Sequence, residues 1–248
     1  MKNLTENIHN LTSLWQIAGA ASGQYTEEKR FSHSLIRGAQ WPNRIWLNRL
    51  ADYDSIEEIS QVIKHSNHVL SISYWDDFKS DAFELFEKRG FLVKSEQIGM
   101  SLELKMKFEH QKRVQLKKIV TDKEAAIWEN IYPQSFGYVI SAATILHTKK
   151  QINYYLVYLD TEPIGTAITY ETGTVIGIHG MGIIPTYRKQ GLAEEVILKL
   201  LNQAIDGKKN LATLQASSMG KNIYKNVGFS EDFLMKNYIY GNVWFYDN

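Results

Sequence analysis

The chain has 248 residues, a net charge of +1, 44% hydrophobic residues and no cysteine. That length admits one large domain or two small ones, the near-neutral charge offers no footprint for nucleic acid, and the lack of cysteine excludes disulfides, thiolate metal sites and a cysteine nucleophile. No run approaches the roughly 20 apolar residues that span a bilayer, and Met1–Glu6 opens a polar, mixed stretch unlike a signal peptide. A cytoplasmic protein without membrane or nucleic-acid partners is expected.

In chain order, a helix is predicted near residues 7–20, followed by a polar stretch. Arg44–Leu47 reads as a strand, Ile56, Ile59, Val62 and Ile63 as one helical face, and Val69–Tyr74 as a strand. A helix over Phe78–Lys88 and strands at Phe91–Val93 and Ile98–Met106 follow. The short charged segment Lys105–Arg113 is the expected boundary, dividing the chain into 1–110 and 111–248.

Beyond it, residues 114–120 form a strand and Thr121-Asp122 starts a helix. A loop over Tyr132–Tyr138 precedes a second helix to about His147. Asn153–Leu159, Ile164–Tyr170 and Val175–Ile184 are three successive strands, separated by turns at Asp160–Pro163 and Thr172-Gly173. Leu192, Val196, Ile197, Leu200, Leu201 and Ala204 mark one face of a helix that stops at Gly207. A short strand at Leu211–Ala216, a helix at Met219–Val227 and strands at Phe233–Tyr240 and Val243–Tyr246 complete the chain. The class is α/β (α+β), a mixed central sheet flanked by helices. Phe86–Phe91 repeats the pattern of Tyr224–Phe229, an aromatic, three residues, Gly and Phe. Both halves share the order β-α-β-α-β-β, which predicts two similar halves.

Arg188-Lys189-Gln190-Gly191-Leu192-Ala193 lies between a strand and a helix. A helix start presents unpaired N–H groups and the positive end of a dipole, which suits phosphate. Gly191 permits a tight turn, Ala193 leaves room, and Arg188 and Lys189 add positive charge. No Gly-Lys-Ser/Thr ending follows, so a nucleotide triphosphatase loop is not indicated. A second element, Ala216–Gly220, leads to Tyr224 and Gly228-Phe229. His65 and His68 have no acidic partner nearby and read as surface residues, and no metal site is expected.

Together Ile183–Ala193 and Ser217–Phe229 resemble the acetyl-CoA motif and the following motif of the GNAT superfamily of N-acetyltransferases, across about residues 113–248. The resemblance implies two GNAT-like halves, with 111–248 the acetyltransferase domain and 1–110 a degenerate copy. It implies acetyl-CoA as co-substrate, without a metal, and direct transfer of the acetyl group to a primary amine through a tetrahedral intermediate. Main-chain groups of Met181 and Ile183 would meet the acetyl and pantetheine groups. Backbone N–H groups from Arg188, Lys189, Gln190, Gly191, Leu192 and Ala193 would hold the pyrophosphate, and Ser217 stands where many members have a cofactor-touching Asn. Tyr224 matches the usual general acid, or is a core aromatic packed on Phe229.

His179, two residues before Met181 and so nominally on the same face, is either the general base or a hydrogen-bonded histidine without a proton role. Phe136 and Tyr138 either line the acceptor pocket or tuck into the domain. The acceptor is a small-molecule amine or a protein amino group, and a homodimer is compatible with the sequence. A non-catalytic acetyl-CoA-binding sensor is the alternative function. The counterpart of the phosphate loop in the first half, Leu47–Ser55, has no glycine and carries Asp52 and Asp54, so cofactor binding is expected to be lost there.

Overall fold

The computed structural model describes residues 2–76 and 82–241. Strands β1 (Gln24–Glu27), β2 (Phe31–Leu35), β3 (Arg44–Leu47), β4 (Ser71–Asp76) and β5 (Phe91–Glu103) belong to the first half, with helices α1 (Lys2–Ser22), α2 (Tyr53–His65) and α3 (Ala82–Glu87). The second half contributes β6 (Val114–Lys118), β7 (Asn153–Leu159), β8 (Glu162–Thr172), β9 (Val175–Ile183), β10 (Leu211–Ala216) and β11 (Ser230–Tyr240). Its helices are α4 (Asp122–Ile131), α5 (Pro133–Phe136), α6 (Ala142–Thr148), α7 (Leu192–Asp206) and α8 (Lys221–Val227).

Local chemistry accounts for most of these elements. Thr121 caps α4 by accepting the Glu124 N–H while the Glu124 carboxylate reaches back to the Thr121 N–H, a reciprocal box that satisfies two orphan donors. The apolar stripe predicted for α7 is buried at Leu192, Val196, Ile197, Leu200, Leu201 and Ala204, and Gly207 ends that helix. Ile56, Ile59 and Ile63 bury one face of α2. The sequence reading differs at three places. The polar stretch contains β1 and β2, the two short strands predicted at 91–93 and 98–106 are one strand, and the Tyr132–Tyr138 loop includes the turn of helix α5. The expected strand at Val243–Tyr246 and the first residues of the helix expected from Phe78 lie outside the described residues.

All eleven strands form one mixed sheet in the order β1-β2-β3-β4-β11-β5-β10-β9-β8-β7-β6. Among the described residues, only β3–β4 and β9–β10 pair in parallel, each pair joined by a helix, α2 or α7. Helices cover both faces. Alternation along β3 shows the division: Trp46 packs with Trp15 of α1, while Ile45 and Leu47 pack with α2. One face thus carries α1 and α4–α6, and the other carries α2, α3, α7 and α8.

The centre of the sheet decides how the halves relate. β11, from the end of the chain, lies between β4 and β5 of the first half. β5 in turn lies between β11 and β10 of the second half. Each half places a strand inside the other, and the β5–β11 ladder runs from Ser101–Ser230 to Phe91–Tyr240. The segment between β5 and β6 is a covalent connection, and the sheet is continuous past it. Phe233 of β11 is fully buried in the layer beneath α1.

Because neither half keeps its ladder without the other, the full chain is expected to unfold in one calorimetric transition. Phe233→Ala should lower stability by about 3–5 kcal/mol while retaining that single transition. Two resolved transitions in scanning calorimetry would contradict the interleaving.

Candidate functional site

The parallel strands β9 and β10 pair only at Val175–Leu211, Ile176–Ala212 and Gly177–Thr213. Beyond these, β10 continues on β5 through Gln215 and Ala216, while β9 continues on β8 to Ile183. The strands therefore part, and the β10-facing edge of His179–Ile183 is left without a ladder. At the opening, Gly180 has φ +49° and the β8–β9 register shifts between the Ile168–His179 and Thr166–Gly182 pairs. A bulge inserts a residue and reverses the alternation of side chains. Met181 and Ile183 accordingly pack on the α7 side with Ile178, whereas His179 reaches Asn10 of α1 on the other face. The expectation that His179 and Met181 share a face is corrected by this bulge.

After β9, Pro185–Tyr187 forms a tight turn and the Arg188 N–H donates to the Pro185 carbonyl. The Arg188 side chain folds back, its Nε donating to the Ile183 carbonyl at 2.9 Å. Arg188 thus closes the turn and occupies the Ile183 carbonyl. Lys189 (φ +63°) and Gly191 (φ +75°) are both left-handed, a conformation that points successive N–H groups into a concave nest for anions. Gly191 occupies the N-cap of α7 and supplies no side-chain acceptor. The N–H groups of Leu192, Ala193 and Glu194 then lack intrahelical partners. Arg113 braces the loop, donating from NH1 to the Gln190 carbonyl at 3.1 Å and from Nε to the buried Glu195 at 3.1 Å. This cradle fits a pyrophosphate.

The equivalent helix start in the first half is built differently. Asp52 caps α2 with its own carboxylate, accepting the Ser55 N–H at 2.7 Å, and Arg30 and Arg49 pair with it. The Ser55 hydrogen bonds and these cations hold the Asp52 carboxyl below its ordinary pKa. There one of the donors, the Ser55 N–H, is satisfied internally by a negative charge.

His179 sits where the two strands part. Its Nε2 lies 3.0 Å from Asn10 Oδ1 and its Nδ1 lies 3.2 Å from Gln215 Oε1. Both amides are oriented from behind: Asn10 Nδ2 donates to the Tyr170 carbonyl, and Gln215 Nε2 donates to Asn7 Oδ1. Gly177 leaves room for this arrangement, since a Cβ there would stand 1.8 Å from Asn10 Oδ1. A neutral ring can donate to only one of the two oxygens. Burial pulls the His179 pKa down to about 4, opposed by the hydrogen bond to Gln215.

Tyr224 lies on α8, 9% exposed, with its ring 5.8 Å from Phe229 in an edge-to-face pair. Burial pushes its phenol up to about 12, so the hydroxyl keeps its proton at neutral pH. Ser217 stands just past the end of β10, where its Oγ accepts the Gly220 N–H at 3.3 Å and starts the turn into α8. On the opposite side of the gap, Phe136 stacks on Tyr132 at 4.4 Å, and the Tyr132 and Tyr138 hydroxyls meet at 2.5 Å. These rings lie against the diverging strand. A Cβ on Gly182 would meet Phe136 at 2.9 Å, and one on Gly180 would meet Tyr132 at 3.0 Å. Ser135 Oγ, beside Gly182, is buried without a hydrogen-bond partner.

Met181, Ile183 and the Arg188–Ala193 loop thus lie on the β9 side of the gap and Ser217 and Tyr224 on the β10 side, with His179 at its base and Phe136 and Tyr138 near β9 on the α1 face. Sequence reasoning passed over Arg113, Glu195, Asn10 and Gln215. The charged pair Arg113 and Glu195 stand 82 positions apart, and only the fold brings the exposed Arg113 onto the buried Glu195 beside the loop. Among the described residues, no cluster of three or more His, Asp or Glu side chains is placed to hold a metal ion, and no helix is long and apolar enough to cross a membrane.

Residues 117–229 match the model of the Acetyltransferase (GNAT) family. No curated protein sequence matches the chain. Among solved structures, the fold is similar to a GCN5-related N-acetyltransferase from Kribbella flavida (TM-score 0.70, 16% identity, 94% of this chain and 95% of that one). It is also similar to a GCN5-related N-acetyltransferase from Sphaerobacter thermophilus (TM-score 0.62, 12% identity, 85% of this chain and 76% of that one). A tandem GNAT protein from the clavulanic acid biosynthesis pathway aligns over 95% of this chain and 94% of its own (TM-score 0.53, 10% identity).

The His179 pKa makes stability depend on pH with a definite sign. A pKa of about 4 in the fold against 6.5 unfolded contributes stability that is complete above about pH 6.5 and is lost as pH falls through about 4. His179→Gln should remove about 1–3 kcal/mol of that acid sensitivity. Melting temperatures of both proteins at pH 7.5 and pH 5 provide the check, the wild type falling further.

Proposed function

Since residues 117–229 form a domain of the GNAT acetyltransferase family, we propose that the chain transfers an acetyl group from acetyl-CoA to a primary amine at the gap between β9 and β10. One observation carries the reading. The strands part immediately before an uncapped helix start whose preceding residues, Lys189 and Gly191, are left-handed. An extended pantetheine arm suits the unpaired edge of β9, and its pyrophosphate suits the donors of Lys189–Glu194.

Acetyl-CoA supplies the activated thioester that the amine attacks. The chain's own groups account for the remaining needs. The main-chain N–H of Met181, in the bulge, stabilises negative charge developing on the carbonyl oxygen. Tyr224, kept protonated by burial, delivers a proton to the departing thiolate. Ser217 meets the cofactor from the end of β10, and Ser135 Oγ finds in the bound ligand the partner it lacks in the protein. Of the two roles open to His179, the hydrogen-bonded one is favoured. A ring that burial holds at a pKa of about 4 takes up no proton at neutral pH, and the amine's proton leaves to water. Phe136 and Tyr138 wall the acceptor side through their packing on Gly182 and on Tyr132. In the first half, Asp52 fills the place a phosphate would take, so that half binds no cofactor and serves as scaffold.

Tyr224→Phe provides the test. It preserves the ring and its packing on Phe229, so acetyl-CoA affinity should remain within about twofold. Loss of the acid should lower kcat by about 10²–10⁴, measured as thiol release with a panel of amines. Wild-type protein that binds acetyl-CoA but acetylates no amine would favour the sensor reading instead.

A further inference from the structure

A row of polar side chains crosses the sheet face that carries α1. On β3, Arg44 donates from NH1 to Ser73 Oγ of β4 at 3.2 Å. Ser73 donates to Asn237 Oδ1 of β11 at 2.6 Å, and Asn237 donates to Gln97 Oε1 of β5 at 3.1 Å. Gln97 Nε2 donates to the Gln215 carbonyl of β10 at 3.2 Å, and Gln215 meets His179 at the base of the gap. Sheet faces under helices are ordinarily apolar, as Phe233 and Met235 are nearer α1. Here five neighbouring strands place polar groups in one line, from the first half of the chain to the transfer site of the second.

Arg44 ends this line with its charge uncompensated. Its Nε donates to the Pro42 carbonyl, its guanidinium carbon lies 4.2 Å over the Trp15 ring, and among the described residues no carboxylate pairs with it. Guanidinium has five N–H donors, and these contacts use two. Burial lowers its pKa, opposed by Tyr138 and Tyr132, the two phenols that flank the transfer site. No Asp or Glu of the described residues hydrogen-bonds anywhere in the row. A desolvated cation without an anion is costly, and a ligand carboxylate is the planar partner its fork matches.

We infer that the acceptor is an amine tethered to a carboxylate, with its amine at the β9–β10 gap and its carboxylate on Arg44. The inference rests on the acetyltransferase reading. Arg44 reaches to β4, three strand spacings from β10, which puts its guanidinium roughly 14 Å from the gap at about 4.8 Å per spacing. An extended peptide of about four residues covers that distance. The first half would then supply the specificity of a reaction carried out by the second.

The experiment compares glycine oligomers of one to five residues with their C-terminal amides as acceptors for the full chain. The wild type is expected to prefer the acid by at least tenfold in kcat/KM at three to five residues, with no preference for glycine itself. Arg44→Gln should bring the acid-to-amide ratio close to one, and Arg44→Lys should restore part of it. Unchanged coenzyme A affinity and circular dichroism identify folded variants. Equal use of acids and amides by the wild type, or a preference that survives Arg44→Gln, would overturn the inference. Calorimetric binding of N-acetyltetraglycine and its amide separates the two levels. Acid-selective binding that Arg44→Gln abolishes supports the carboxylate site even if no oligomer is acetylated, which would instead count against the acetyltransferase reading. Absence of acid-selective binding overturns the site.

Discussion

The donors at the start of α7 need an acceptor that the protein does not supply. Gly191 has no side chain to cap the helix, and the left-handed Lys189 and Gly191 turn further N–H groups inward. Much of the surrounding structure keeps this loop in that state. Arg113 and Glu195 fix it from below, Arg188 ties its entry to the end of β9, and the Leu192–Ala204 stripe anchors the helix in the core. At α2 the N-cap is Asp52, whose carboxylate accepts the Ser55 N–H. The two helix starts therefore differ in whether a carboxylate of the chain caps them.

The interleaving of β5 and β11 joins the first half to the gap in the second. β5 is the strand against which β10 runs after it leaves β9, so the first half forms one wall of the gap. Asn7 and Asn10 fasten α1 across the same region, through the Met100 and Tyr170 carbonyls and through the contacts to Gln215 and His179. The shape of the gap in the second half is thus set in part by residues of the first. The polar row ending at Arg44 follows the same logic.

Elements with strong local signals were legible in the sequence. The α7 stripe, the turn at Thr172-Gly173 and the Gly207 stop all depend on neighbours within a few positions, and the structure places them as read, with the Arg188–Ala193 segment between a strand and a helix. What escaped depends on distant partners. β1 and β2 have polar faces, with Ser32 and Ser34 buried against Asn48 and the Trp15 carbonyl, and no periodicity marks them. The Gly180 bulge is one residue in a sequence that otherwise alternates cleanly, yet it moves Met181 to the opposite face from His179. Asn10 lies 169 positions from His179, so the feature that disfavours a base role was invisible along the chain. The placement of β11 inside the first half has no local signature at all.

Titration of coenzyme A into the full chain by isothermal calorimetry tests the central claim most directly, with Gly191→Val and Asp52→Ala measured alongside. The account predicts one molecule bound per chain and at least a tenfold weaker association for Gly191→Val, whose side chain cannot adopt φ +75° without strain. Asp52→Ala should leave both the stoichiometry and the affinity unchanged. Two molecules per chain, or binding indifferent to Gly191→Val, would contradict it.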